Sequence, residues 1–166
     1  MTRQIIDVDA DQPNGKKGDP ARIAFNKVND NFAELYARTS AGEELGYSQI
    51  TSEWSSSSAT PVDVPGLQIN IVAGAQPVSF MFGATVRSSV ESAFARFHLH
   101  VDGAQVGEVT VSGKVGYLTV SRAVRLADLV LGQSYQLTVR AEAISGGEVM
   151  IYASATEKAY VQAVTI

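Results

Sequence analysis

His98 and His100 are the only histidines of the chain and stand two residues apart in the run Ala93–Val101. In an extended strand alternate residues share a face, so both imidazoles project from one side, with Phe97, Leu99 and Val101 on the other. Imidazole is a good transition-metal ligand and titrates near neutrality, so the pair offers a two-nitrogen metal contact or a pH-sensitive subunit contact. The plainer reading is an exposed or interfacial strand face that continues Phe94 and Arg96 towards the turn at Asp102-Gly103, and it takes precedence. Asp7, Asp9 and Asp11 also alternate and are followed by Asn14 and Gly15, as at the start of a calcium loop. That pattern fails, because Gln12 stands where such a loop needs glycine and Gly18 where it needs glutamate. An acidic, solvated arm fits better. We expect no resident cofactor or metal, with His98 and His100 the one pair capable of holding an ion.

Nothing in the chain points to catalysis. There is no Gly-x-Ser-x-Gly elbow, and a Ser-His-acid triad would have to use a histidine beside a hairpin. The carboxylates of the second half (Glu91, Glu108, Asp128, Glu142, Glu148) are scattered over different turns and faces rather than paired as glycoside hydrolysis requires. Gly15-Lys16-Lys17-Gly18 lacks the spacing and the following Ser or Thr of a phosphate loop. With no cysteine, thiolate nucleophiles, cysteine metal sites and disulfides are excluded. The expectation is a protein that is not an enzyme. Trp54, Tyr117 and Tyr152 have the side chains to stack on a glycan, although aromatic residues of a sandwich more often belong to a core or an interface.

Composition sets further bounds. Hydrophobic residues make up 45% of the 166, enough for a core, and charged residues only 18%, below the usual quarter. A surface so poor in charge suggests cover by other subunits. The net charge of −4 argues against nucleic acid, which needs a basic patch. Residues 1–40 hold six basic and six acidic groups, so the whole deficit lies beyond them. No segment has the ~18 continuous apolar residues of a membrane helix. The opening MTRQIIDVDADQ lacks the apolar run of a signal peptide, which predicts a protein not exported by that route.

The elements that position these residues change character along the chain. Residues 1–17 read as an arm, with a short strand over Gln4–Val8 and a turn at Pro13-Asn14-Gly15. Asp19 is a good helix N-cap and Pro20 suits a first helical position. Ala21, Phe25, Val28, Phe32 and Leu35 then recur at spacings of four and three, a heptad seam over residues 19–39. A helix this short is marginal alone in water, so its apolar side must be covered. Gly42 and Gly46 end it, and EWSSSSATP (53–61) reads as a serine-rich connector.

From Leu67 the period becomes two. Strands are predicted over Leu67–Val72, Val78–Arg87, Ala93–Val101, Gln105–Val111, Val115–Leu126, Tyr135–Ala143, Glu148–Ser154 and Tyr160–Ile166, with turns at Asp102-Gly103, Ser112-Gly113-Lys114 and Ser145-Gly146-Gly147. About eight antiparallel strands with short turns predict a mainly β protein whose C-terminal part is a β-sandwich, a jelly roll, preceded by an arm and one short α-helix. The predicted divisions are 1–46 for arm and helix, 47–66 for a connector and 67–166 for the jelly-roll head. The runs around Phe80 and Phe82, and Tyr160–Ile166, read as apolar on both faces, which predicts that one face of each meets a second subunit.

The N-terminal segment also resembles a motif of tailed-bacteriophage virion proteins, of the tail-fibre and head-fibre type. It is carried by Pro13-Asn14-Gly15, Gly18-Asp19-Pro20, Ala24-Phe25-Asn26-Lys27-Val28-Asn29 and Asn31-Phe32-Ala33-Glu34-Leu35-Tyr36, about 25 residues in which a dozen positions are fixed. Lys16-Lys17 departs from the small polar residues more usual there. The second half is similar, less specifically, to the small trimeric, tumour-necrosis-factor-like jelly-roll heads of phage fibres. The resemblance implies a homotrimeric structural protein of the virion, assembled in the bacterial cytoplasm, with other virion proteins as partners. It implies attachment through Asn14, Gly15, Gly18, Asp19 and Pro20, and trimer contacts through Phe25, Val28, Phe32 and Leu35, with Phe80 and Phe82 closing the head. The alternative it allows is a receptor-binding tip that contacts a glycan or protein of the host surface.

Overall fold

In the computed structural model the described residues are 11, 13, 15–17, 20–39, 42–90, 94–112 and 116–166. They form two compact units, Met1–Ala41 and Gly42–Ile166. In the first, Asp11 and Lys17 form an isolated antiparallel bridge around the predicted turn, with Gly15 in the left-handed region. Helix α1 (Ala21–Thr39) follows. The Pro20 carbonyl accepts from Ile23 N at 2.8 Å and Ala24 N at 3.0 Å, so Pro20 is the cap residue, one residue later than the predicted cap. Its missing N–H is no loss there, because the first amides of a helix have no intrahelical acceptor. The predicted strand Gln4–Val8, the cap Asp19, and Asn14 and Gly18 lie outside the described residues, as do Asp7, Asp9 and Gly113-Lys114 of the predicted turn.

The second unit is a β-sandwich. Its strands are β1 (Glu44–Ile50), β2 (Trp54–Ser56), β3 (Val62–Val72), β4 (Val78–Ser88), β5 (Phe94–Val101), β6 (Ala104–Ser112), β7 (Leu118–Leu126), β8 (Ser134–Ile144), β9 (Val149–Tyr152) and β10 (Ala159–Thr165). The stretch predicted as a connector, 47–66, thus carries most of β1, all of β2 and the start of β3. One sheet runs β3-β8-β5-β6. In the other, β7 pairs with Val78–Val86 of β4, while β10 and β9 pair with Val78–Gly83 and Thr85–Ser88. Because β7 overlaps both, β10 and β9 share the opposite edge of β4; β1 flanks β10 and β2 flanks β9. The antiparallel pairs β5·β6, β4·β7, β3·β8 and β1·β10 are nested in sequence. That nesting, wound across two sheets, is a jelly roll.

The turns explain the register. Asp102 (φ 47°) and Gly103 (φ 81°) form the two-residue hairpin between β5 and β6, where both central residues need positive φ. Ser145-Gly146-Gly147, all with positive φ, joins β8 to β9. Gly66 (φ 83°) sits in the register shift between Asp63 and Gln68, which lets β3 begin five residues earlier than its period predicts.

The core lies between the sheets, and β4 alternates cleanly. Val78, Phe80, Phe82, Ala84 and Val86 are buried, while Ser79, Met81, Thr85 and Arg87 are half-buried on the outer face. This corrects the prediction for Phe80 and Phe82. Their exposures are 0% and 1%, and the Phe82 ring packs 5.2 Å from that of Phe97 on the facing sheet. They fill the sandwich interior and cannot contact a second subunit. The run had read as apolar on both faces because Met81 and the side-chain-free Gly83 break the polar half of the alternation.

Candidate functional site

On the helix, the seam residues Phe25 and Phe32 are 69% and 52% exposed, and Val28 is half-buried. Ile23, outside the seam, is exposed as well. The Leu35 side chain lies outside the described residues. Two phenylalanines seven residues apart project from a 19-residue helix with most of their surface in water. Each fully covered aromatic ring is worth about 2–3 kcal/mol, so covering the seam is an apolar gain still open to this helix.

The two outer faces of the sandwich differ sharply. On β3-β8-β5-β6, cross-strand pairs place Arg96 beside Glu142 and Thr110, His98 beside Arg140 and Glu108, and His100 beside Thr138 and Gln105. The groups satisfy one another. Arg96 Nη1 and His98 Nε2 each lie 3.2 Å from Glu142 Oε1, and Arg140 Nε donates to Asp63 Oδ1 at 2.6 Å. Gln105 Nε2 donates to Glu108 Oε2, which turns Gln105 Oε1 towards His98 Nδ1 at 3.1 Å. His100 Nδ1 donates to the Gly103 carbonyl at 2.9 Å.

Both histidines lie on one face, as predicted, but that face is not exposed at them. They are 4% and 7% exposed, sunk among the side chains of β6 and β8. Among the described residues neither Nε2 atom has a hydrogen-bond partner, and no three His, Asp or Glu side chains gather in a metal-holding geometry. Each ring is held through its Nδ1, His98 by Gln105 and His100 by the Gly103 carbonyl.

The outer face of the other sheet carries little charge. Its rows read Tyr47–Gln162–Met81–Ala123 and Gln49–Tyr160–Gly83–Ser121, with Thr85 flanked by Tyr152 and Thr119. Its charge is at Glu44 of β1, which accepts from Gln162, and at the ends of β4, at Arg125 beside Ser79 and at Arg87. Tyr47 and Tyr160 stack with ring centroids 6.1 Å apart, and a Cβ at Gly83 would meet the Tyr160 ring at 2.6 Å, so the ring lies directly over that glycine. A flat, aromatic face depleted of charge has the composition of a buried protein contact.

The glycan candidates separate. Trp54 is half-buried against the core. Tyr117 and Tyr152 come together at 4.9 Å, with the Arg87 guanidinium 5.5 Å over the Tyr117 ring and Glu53 3.6 Å from Arg87. Sequence reasoning missed Arg87 and Glu53, which stand far from both tyrosines in the chain and meet them only through the β2·β9, β4·β9 and β4·β7 pairings.

No protein-family model matches the sequence, and no curated protein sequence matches it. Among solved structures the chain is similar to the Eiger TNF from S. frugiperda, at 12% identity over 75% of this chain and 94% of that one, with a TM-score of 0.49. It is also similar to the CBM22-1 xylan-binding domain from Paenibacillus barcinonensis Xyn10C, at 14% identity over 76% and 97% of the two chains, with a TM-score of 0.41. A third likeness is to infectious bursal disease virus, Gx strain, at 14% identity over 74% and 38%, with a TM-score of 0.29. The jelly-roll architecture rests on the strand pairings themselves.

Proposed function

We propose that this protein is a structural component of a tailed-bacteriophage virion: a homotrimeric short fibre or decoration protein that docks by its N-terminal region and presents the jelly roll as its head. The observation that carries the reading is the exposed heptad seam. Phe25 and Phe32 stand in water on a helix whose sequence resembles the phage segment, and such a helix gains stability by meeting copies of itself. In this reading Phe25, Val28, Phe32 and Leu35 pack across the threefold axis. The turn and cap region at Asn14, Gly15, Gly18, Asp19 and Pro20 meets another virion protein. The head is closed not by Phe80 and Phe82 but by the uncharged outer face around Tyr47, Met81 and Tyr160. The protein works by assembly rather than catalysis, and its place is the virion.

The test is the absolute mass of the full chain by light scattering. The expected result is about three times the 17.6 kDa chain mass, lost on Phe32→Asp, which puts three carboxylates on the axis. A wild-type monomer, or a Phe32→Asp protein of unchanged trimer mass, would refute the reading.

A further inference from the structure

The cluster at Tyr117, Tyr152, Arg87 and Glu53 has a composition and a position that the assembly reading does not use. The chain enters the sandwich at Gly42, whose amide bonds to the Thr165 carbonyl at 2.8 Å, beside the start of β4. Arg87 stands nine residues beyond Val78 on that strand, about 30 Å away at ~3.3 Å per residue. The cluster therefore occupies the end of the sandwich opposite the one through which the chain arrives.

Its chemistry is specific. Tyr117 is 58% exposed, and its ring is tilted 56° to that of Tyr152. Rings at that angle form a corner rather than a slot, so they do not sandwich a flat base but do fit the apolar C–H face of a chair-shaped sugar. Arg87 lies over the Tyr117 ring, which fixes a long side chain in place. Glu53 sits 3.6 Å from Arg87 Nη2, which is a charge contact too long for a hydrogen bond. It neutralises the guanidinium without consuming its donors, and its own oxygens remain acceptors. An unpaired arginine would favour an anionic ligand; this pair presents donors and acceptors with no net charge.

From this corner we infer that the end of the head opposite Gly42 is a binding site for a neutral carbohydrate. A pyranose ring stacks on Tyr117 against Tyr152, and its hydroxyls bond to Arg87 and Glu53. The inference does not depend on the number of copies that assemble, and it fails separately from the assembly reading.

The experiment uses the full-length protein on an array of immobilised bacterial O-antigens and capsular polysaccharides, followed by calorimetry with the glycan that binds. Binding to a neutral glycan is expected, weakened at least about tenfold by Tyr117→Ala and by Arg87→Met and retained in Tyr117→Phe, with the light-scattering mass unchanged in all three. Four results would each overturn the inference: no glycan bound, a preference for anionic glycans, binding indifferent to both Tyr117→Ala and Arg87→Met, or an altered mass in Tyr117→Ala, which would make the cluster a subunit contact.

Discussion

Replacing Phe82 by alanine tests whether β4 points its phenylalanines inward. The side chain is 1% exposed and spans the gap between the sheets to reach Phe97 at 5.2 Å. Deleting a buried ring removes its transfer energy and leaves a cavity that a close-packed interior closes only in part, for about 3–5 kcal/mol. The tilted pair with Phe97 accounts for about 0.5–1.5 kcal/mol of that. Phe82 is fully enclosed, so a loss near the middle of the range, about 4 kcal/mol, is expected. At the urea sensitivity of a domain this size, the unfolding midpoint falls by about 2 M or more. Denaturation followed by tryptophan fluorescence suits the assay, because Trp54 is the single tryptophan and packs against the core. Wild type and variant are compared at one protein concentration, since assembly shifts apparent stability by mass action. Paired variants Phe82→Leu and Phe97→Leu should be non-additive by the worth of the ring contact. A Phe82→Ala protein with an unchanged midpoint and a reduced particle mass would refute the inward orientation and restore the residue to an interface.

Two further outcomes follow from the outer face of the same strand. Gly83→Ala places a methyl carbon 2.6 Å from the Tyr160 ring and is expected to lower stability by about 1–3 kcal/mol, with most of the loss recovered in the double variant with Tyr160→Ala; equal losses in single and double variants would contradict the ring-over-glycine contact. Met81→Asp, at the centre of the uncharged face, should leave the fold of the sandwich intact by circular dichroism and reduce the light-scattering mass, and an unchanged mass would mean that this face does not meet another subunit.

The parts of this fold that were legible in the sequence are those whose signal is local. The heptad of Phe25, Val28 and Phe32 lies in a helix, and Asp102-Gly103 and Ser145-Gly146-Gly147 turn where their φ preferences say they should. The first strands were not legible. β2 is three residues of Trp and Ser, too short for a period to show, and it exists because Ile151 and Val149 of β9 offer it a ladder. β1 holds Gly46 and Ser48 and is secured by β10, more than a hundred residues away. The face assignment of Phe80 and Phe82 failed for a related reason. Composition shows that Met81, Gly83 and Ala84 are uncharged, but only the neighbouring strands decide which side of such a run is covered. The burial of His98 was equally invisible, because Gln105 and Glu142, which flank it, come from neighbouring strands.

The contrast between the two outer faces bears directly on the direction of assembly. On β3-β8-β5-β6 the ion pairs of Glu142 with Arg96 and of Arg140 with Asp63 already satisfy one another at the surface. Covering that face would strip water from several charges and return no new partner, and desolvation of paired ions commonly exceeds their mutual attraction. On the opposite sheet the Tyr47 hydroxyl bonds to Gln49 and the Gln162 amide to Glu44, so its polar atoms are engaged within the sheet while its rings and Met81 remain to be covered. Burial there gains apolar area at small desolvation cost. In the proposed trimer the charged sheet therefore faces water, and the part of the other sheet around Tyr47, Met81 and Tyr160 faces the axis.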